Sequence, residues 1–492
     1  MGVFWGNTLR GVYHPPREQT GPLTRQALEE CFGGCADLVR REVKTRSGAL
    51  CVLYWLDGMV KSERVSDALI RPLMAAQEAE PEALLQGAVW NLSVQRRDTL
   101  AQVSEDVTGG MAAVFLPDGV LTCSVETEAK RPVSAVENEV SEKGARDAFV
   151  ESLQTNTGLI RRRLRTPALR LKAFSVGRES RTAVDVVWVE GLTDPALVQA
   201  VEEHLQAVDI DALLSTEDLE AHLLPGVHGA FPKILFTERP DRFCRAVLEG
   251  RVGLLTEGIP LGAILPGDLA LFLQAPQDSA YHWTMTAALL VLRYLCLMMT
   301  LTLPGFYVSV ASYHLEMLPT KLAASIIASK QDVPFSTVFE VLVLLLAFEI
   351  LQEAGLRLPK TIGQTVSIIG GLVVGQAAVE AKIVSPAVVI VVAAAGIAGF
   401  TAPNQDLANA LRLWRFALTV LAGAAGFFGL TAGLGALVGH LAGLECLGVA
   451  YLSPFAPAAG ALRQEGAVLG QPLSERKLRT LALRPGNRRK QK

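Results

Sequence analysis

Ionisable and amide side chains set among long apolar runs are the residues of this chain with chemistry to do. Over 359–384 the sequence reads P-K-T-I-G-Q-T-V-S-I-I-G-G-L-V-V-G-Q-A-A-V-E-A-K-I-V, so Gln364, Gln376 and Glu380 interrupt an apolar run, with Lys382 just beyond. A bilayer crossing needs roughly 20 predominantly apolar residues, which this stretch supplies. Polar groups at that depth are expensive and mostly face a bundle interior or a watery path, so the segment is a candidate ion pathway. Gln364 and Gln376 are 12 residues apart, which places them about 120° apart around a helix and off any single narrow axis. Gln364, Ser367, Gly371 and Val374 hold one face and form the candidate pore lining; Glu380 falls about 160° from Gln364, at a mouth or against another helix. Glu340, Glu349 and Glu353 join Glu380 as candidate pore-mouth or gating acids, because charges of one sign repeated around an oligomeric ring select cations. The competing reading puts the amides at headgroup level, leaves the glycines to close helix packing, and has the acids flank the bilayer or pair with Arg357 and Lys360.

A second cluster is cationic. Arg161, Arg162, Arg163 and Arg165 end a helical pattern running from Ala145 to Leu164. They read either as a solvated helix end, where cations meet the negative end of the helix dipole, or as a basic contact patch for anionic headgroups or an acidic neighbouring subunit. The seven cysteines make no disulfide framework and suit a reducing compartment. Cys31 and Cys35 are a close pair without a second pair at zinc-ligand spacing, so neither metal nor cofactor is expected. There is no Gly-rich phosphate loop, G-x-S-x-G or H-E-x-x-H, and no set of nucleophile, base and metal can be assembled, which argues against an enzyme. A net charge of −3 and a pI near 6.2 argue against nucleic acid.

The elements that position these residues divide the 492-residue chain, whose mean hydropathy is +0.31, into unlike halves. Up to about Gln277 charged and apolar stretches alternate; from Trp283 to Tyr451 long apolar runs dominate. In the first half a short apolar run closed by an acid and Gly recurs at Asp57-Gly58, Asp118-Gly119, Glu190-Gly191 and Glu257-Gly258. Gly supplies the positive φ that a tight turn after a buried strand needs. Similar helices follow the first and third of these turns, the latter with Asp194 as N-cap and Pro195 at the first helical position. The expectation is an α/β N-terminal cytosolic region of two related subdomains, 24–140 and 146–275, followed by an all-α polytopic membrane domain, 283–455, and a basic cytosolic tail, 456–492. The N-terminus lacks the apolar core of a signal peptide, consistent with a cytosolic first half.

Apolar runs lie near Tyr294–Ala311, Phe335–Leu351, Ile362–Val379, Val384–Ala402 and Phe416–Leu441. Basic residues between them fit successive crossings, yet five crossings would put the basic tail on the far side. Either the last, Gly-rich run bends back or the second, with its three acids, does not cross fully; four and six crossings both stay open. Gly371/Gly375, Gly429/Gly433, Gly435/Gly439 and Gly439/Gly443 give the small-xxx-small spacing of close helix contacts.

Longer motifs carry a family likeness. They are Thr237-Glu238-Arg239-Pro240-Asp241-Arg242 with Leu248-Glu249-Gly250-Arg251; Pro359-Lys360 with Ile362-Gly363-Gln364; Gly375-Gln376-Ala377-Ala378-Val379-Glu380-Ala381; Val384-Ser385-Pro386; and Tyr451-Leu452-Ser453-Pro454. Together with Thr155-Asn156-Thr157 and Arg161-Arg162-Arg163, they make the chain resemble the A subunit of GerA-type spore germinant receptors from about residue 28 onward. The resemblance implies a subunit of the spore inner membrane that works with a nutrient-binding B subunit and a lipoprotein C subunit. It also implies A-subunit homo-oligomers acting as a nutrient-gated cation channel. Two motifs depart from the family pattern: Lys143-Gly144-Ala145-Arg146-Asp147-Ala148-Phe149, where R-G-P-R-E-G-F is usual, and Asn404-Gln405-Asp406 after Pro403, where Ser-Tyr is common. The competing functions are a secondary transporter, for which inverted repeats are expected and none is visible, and a non-conducting membrane scaffold.

Overall fold

All four acid-glycine pairs follow strands, and the strands they follow are equivalent. A computed structural model describes residues 21–60, 62–77, 93–125, 139, 143–224, 229–357, 375–453 and 455. The candidate pore-lining residues Gln364, Ser367, Gly371 and Val374 lie outside the described residues.

The first half forms two five-stranded sheets with all neighbours antiparallel. In the first, β1 (Leu38–Lys44), β2 (Leu50–Leu56), β3 (Val94–Arg97), β4 (Met111–Leu116) and β5 (Gly119–Ser124) take the order β1-β2-β4-β5-β3. In the second, β6 (Leu169–Val176), β7 (Thr182–Val189), β8 (Leu235–Thr237), β9 (Val252–Thr256) and β10 (Gly262–Leu265) take the order β6-β7-β9-β10-β8. Numbered within each unit, the two orders are identical. Asp57 and Glu190 follow the second strand of their units, Asp118 and Glu257 the fourth. Helices match as well: α1 (Arg25–Phe32) and α3 (Leu153–Arg163) precede the first strands, and α2 (Leu100–Thr108) and α6 (Pro240–Leu248) precede the fourth. Helical pieces at Ser62–Val65, Ser66–Ile70 and Arg71–Ala75 occupy the place that α4 (Pro195–Ala207) and α5 (Thr216–Leu223) fill in the second unit. Asp194 caps α4 by accepting from the Ala196 amide at 3.0 Å.

Helix α3 is shorter than its sequence pattern. Ser152 caps it, and the side chain of Asn156 is bonded to both the amide and the carbonyl of Val150, keeping the chain ahead of the first turn out of the helix.

The second half is helical: α7 (Leu269–Leu273), α8 (Trp283–Tyr313), α9 (Thr320–Lys330), α10 (Thr337–Arg357), the short helix Gly375–Glu380, α11 (Pro386–Gly399) and α12 (Gln405–Gly443). Among the described residues α8 and α12 are long and apolar enough to cross a membrane. Helix α12 is not straight. Ala425 and Gly426 leave helical geometry, and Gly426 has φ +59° and ψ −139°, a conformation essentially closed to other residues. The chain reverses there, so that Gly429 and Gly433 in the second arm meet Leu418 and Leu421 in the first, and the ring of His440 lies 5.9 Å from that of Trp414. The last apolar run therefore bends back on itself.

The reversal defines one end of the bundle. Tyr313, ending α8, donates to the Gly423 carbonyl at 2.6 Å, and Val338, beginning α10, packs on Gly423. Helix α10 finishes beside Arg412 and Arg415, near the start of α12. Lys382 returns to the reversal end, pairing with Asp332 at 2.6 Å, and α11 then leads toward Thr300, Phe348 and Phe400. A small hairpin, β11 (Glu445–Cys446) and β12 (Val449–Ala450), follows α12 and docks on the second sheet unit. There the Leu269 amide donates to Tyr451 O at 2.9 Å and Cys446 Sγ to Lys233 O at 3.6 Å. One apolar core consequently runs from Phe149, Leu235 and Phe272 through Tyr451 into Leu301, Leu418 and Leu437; the first unit keeps a core of its own.

Candidate functional site: the ionic path from the sheets to the helix bundle

Charged side chains concentrate at three levels, beginning where the two sheet units meet. Arg161 on α3 is 0% exposed and makes a two-pronged contact with Asp37 of the first unit, at 2.7 and 2.9 Å. Asp185, on β7, shares the pocket; its pKa is pushed up to about 6, first by burial and then by the Asp37 charge, against the pull of a hydrogen bond from Thr157. The turn at Asp57-Gly58 presses on the same helix: Gln154 donates to Asp57 at 2.6 Å, and a Cβ on Gly158 would stand 2.4 Å from the Gly58 carbonyl oxygen. From the other side Glu257 accepts from the Leu153 amide at 2.6 Å. Two of the acid-glycine turns, one from each unit, thus clamp α3.

This geometry divides the arginine run. Arg161 faces inward and takes no part in a surface patch. Arg163 is bonded to Asp147 and to the Leu159 carbonyl, Arg162 is half-buried, and Arg165 is exposed. A helix end carrying consecutive arginines sends them to different faces, about 100° apart per residue.

The second level is a relay of ion pairs leading to the bundle. Arg239, buried before α6, holds Asp241 at 3.0 and 2.7 Å and the Glu139 carbonyl at 3.0 Å. Arg242 pairs with the Glu139 carboxylate and caps the end of α7 through the Gln274 carbonyl at 2.8 Å. Arg251 pairs with Asp268 at 2.6 Å inside the fold. Arg293, on α8, then binds Asp278 at 2.8 Å and the Leu273 carbonyl at 3.1 Å. From sequence, Thr237-Glu238-Arg239-Pro240-Asp241-Arg242 promises only a helix start. Its role as an anchor for the chain entering α8 depends on partners up to 103 residues away.

The third level is inside the bundle. Glu340 is 1% exposed and accepts from the Ser385 amide, at the start of α11, at 2.7 Å; Lys330 lies 3.8 Å from its other oxygen. Glu349 pairs with Arg415, itself buried, and lies 3.6 Å from Arg412. Its partners belong to α12. Glu353 and Glu380 are exposed, Glu380 accepting from Gln376 at 3.1 Å. The four acids therefore do not share one environment. Gly435, Gly439 and Gly443 face open space, whereas Gly429 and Gly433 pack within the hairpin.

Comparison with known proteins matches residues 26–480 to the family described as Bacillus/Clostridium GerA spore germination protein. The chain is 36% identical over 432 residues to the uncharacterized membrane protein YfkQ of Bacillus subtilis (strain 168), covering 86% of this chain and 84% of that one. It is 34% identical over 434 residues to spore germination protein KA of the same organism, covering 86% and 80%. Among solved structures, the N-terminal domain of the A subunit of the Bacillus megaterium spore germinant receptor GerK3 aligns at 26% identity with a TM-score of 0.38, over 49% of this chain and 91% of that one.

Proposed function

The chain belongs to the Bacillus/Clostridium GerA spore germination protein family, and we propose that it is the membrane subunit of a spore germinant receptor that oligomerises into a nutrient-gated cation channel. The observation that carries the channel reading is the burial of Glu340 and Arg415 within the helix bundle. Intramembrane ionisable groups are costly, and they mark ion paths more often than they add stability. In this reading the sheet units, 24–140 and 146–275, are cytosolic, and the bundle, 283–455, lies in the spore inner membrane beside B and C subunits.

Six traverses fit the ends of the helices. Helix α8 leads away from the sheets, α10 back toward them, and α11 back again after Lys382; the two arms of α12 add a further pair. The reading needs one further traverse between α10 and Lys382, and the candidate pore lining Gln364, Ser367, Gly371 and Val374 lies in that interval of the sequence, outside the described residues. Six passes return 456–492 to the cytosolic side, where their basic residues belong.

Purified receptor, reconstituted in liposomes loaded with potassium, tests the reading. Adding germinant to the complete set of subunits is expected to release potassium, and cysteines at 364, 367, 371 and 374 are expected to confer block by a charged thiol reagent. An inserted, germinant-binding receptor that releases no ion would instead support a scaffold, a reading favoured by the neutralisation of Glu349 by arginine.

A further inference from the structure

We infer that the segment Thr237-Glu238-Arg239-Pro240-Asp241-Arg242 is a socket that recognises a glutamate within a peptide segment, and that its exchangeable occupant is the chain's own connection between the sheet units, through Glu139. The inference goes beyond the receptor reading and does not depend on conduction. All four polar functions of Glu139 are taken up by the socket. Its amide donates to Glu238 Oε1 at 2.5 Å, and its carbonyl accepts from Arg239 Nη1 at 3.0 Å. One carboxylate oxygen accepts from Arg242 and the other from the Thr237 hydroxyl. Main-chain contacts set register and side-chain contacts set identity, the division of labour found in sites that bind peptides. An aspartate, one methylene shorter, cannot keep its carboxylate on Arg242 and Thr237 while its main chain stays on Glu238 and Arg239. A glutamine would turn an NH2 group, which only donates, toward one of two donors.

The socket is held in shape by its own contacts. Thr237 and Arg239 are each 1% exposed and Glu238 is 9% exposed. Asp241 grips the Arg239 guanidinium at 3.0 and 2.7 Å, which aims Nη1 at the Glu139 carbonyl. The Arg239 amide donates to Thr237 Oγ1 at 3.2 Å, so the hydroxyl proton is left for the Glu139 carboxylate. The occupant is less enclosed, its side chain being 18% exposed. Its four contacts are polar and charge-assisted, and water can replace each of them, so Glu139 can leave and return without opening either apolar core.

Occupancy is felt where the chain enters α8. Arg242 divides its guanidinium between two tasks: one nitrogen holds Glu139, and the other binds the Gln274 carbonyl at 2.8 Å and the Leu271 carbonyl at 3.5 Å, at the end of α7. When Glu139 leaves, Arg242 loses the carboxylate that fixes it, and the end of α7 loses its anchored cap. The seating of the inter-unit connection and the stability of the turn before α8 are therefore linked.

The test is amide hydrogen exchange of the full chain, purified in detergent. A tethered segment competes at an effective concentration of about 1 mM, so a free peptide of sequence V-S-A-V-E-N-E-V-S-E-K, that of residues 133–143, is added at roughly 10 mM. It is expected to speed exchange at the Glu139 amide and over 274–281. The same peptide with glutamine in the place of Glu139 is expected to do neither. Within the chain, Glu139→Asp and Glu139→Gln are each expected to speed exchange over 274–281 about tenfold, the factor that one lost charge-assisted hydrogen bond supplies. Strands β6 and β7 are expected to exchange as in wild type. Glu137→Gln, which removes the same charge two residues away, is expected to leave 274–281 unchanged. The socket is overturned if the Glu139 amide of the wild type exchanges at the open-chain rate, if the two peptides act alike, or if Glu139→Asp leaves 274–281 as it was. Exchange that rises equally through β6 and β7 in Glu139→Asp would make Glu139 a general support of the unit and overturn the socket too. Ion release from liposomes, present or absent, alters none of these outcomes.

Discussion

At the scale of single residues, the contact between Arg161 and Asp37 shows how a charge that looks superficial becomes structural. Removing one partner of a buried, hydrogen-bonded ion pair leaves the other uncompensated, a loss of about 3–5 kcal/mol. Asp37→Asn is therefore expected to lower the melting temperature of the full chain and to speed amide exchange along α3 and β7. Asp185, beside this pair, adds a pH dependence. Its folded pKa of about 6 exceeds the ordinary 3.8, so the folded protein holds this proton more tightly than the unfolded chain. The contribution is complete below pH 3.8 and is lost as the pH rises through 6. Melting curves of the wild type minus Asp185→Asn should show this loss between about pH 4 and 7; a flat difference would remove Asp185 from the account. The arginine run was legible as a helix end but not as three different environments. Which residue turns inward is set by Asp37, 124 positions away, and local spacing contains no trace of that partner.

At the scale of elements, the sequence pattern reveals turns more readily than partners. The acid-glycine turns were legible because a buried strand needs an abrupt stop, and their recurrence made the duplication legible ahead of the equal strand orders. Their second task, clamping α3, was not legible, since it arises from docking one unit on the other. The reversal of α12 was open in the sequence as one of two ways to satisfy the basic tail. Gly426 decides it, but Gly-rich apolar runs have many glycines and only backbone geometry singles one out. Gly426→Ala tests the turn. A Cβ there would sit 3.1 Å from the Tyr313 ring on a residue with φ +59°, and the strained backbone alone costs on the order of 1–3 kcal/mol. The variant is expected to melt lower than wild type and to lose protection at the Tyr313 end of α8. Gly435→Ala, facing open space, is expected to melt as wild type does.

At the scale of the whole molecule, the second sheet unit and the bundle share one core and are joined twice, through the arginine relay before α8 and through the Tyr451 hairpin after α12. Connection at both ends is what the sheet half needs if a signal reaching it is to move helices. Arg242→Gln, which breaks contacts with Glu139 and Gln274 without emptying a core position, is expected to leave insertion intact and to weaken germinant-triggered ion release severalfold; unchanged release would exclude this relay from coupling.

The proposed six-pass reading makes a statement about sidedness that can be tested. Asp332 and Lys382, both exposed, mark the reversal end, whereas Asp406 at the start of α12 borders a cavity with Glu217 and Glu220 of the second sheet unit. With six traverses, a cysteine at Asp332 must face the side opposite to one at exposed Leu214. Each is introduced into a chain whose native cysteines are replaced by serine, and a membrane-impermeant thiol reagent is added to sealed vesicles of known orientation. Labelling is expected at 332 alone when the spore-exterior face is outward, and at 214 alone when the vesicle is inverted. Labelling of both positions from one face would put the reversal end and the sheets on the same side. Helices α8 and α10 would then have to lie along the surface, a placement at odds with the spread of exposed apolar side chains around α8. An interfacial helix keeps its apolar side chains on one face, and exposed Leu292, Leu295, Met299 and Phe306, at steps of three, four and seven residues over about four turns, by themselves fit one stripe. The exposed Trp283, Val291 and Met298 extend the apolar surface beyond that stripe, as a helix surrounded by lipid requires and one lying at the surface does not.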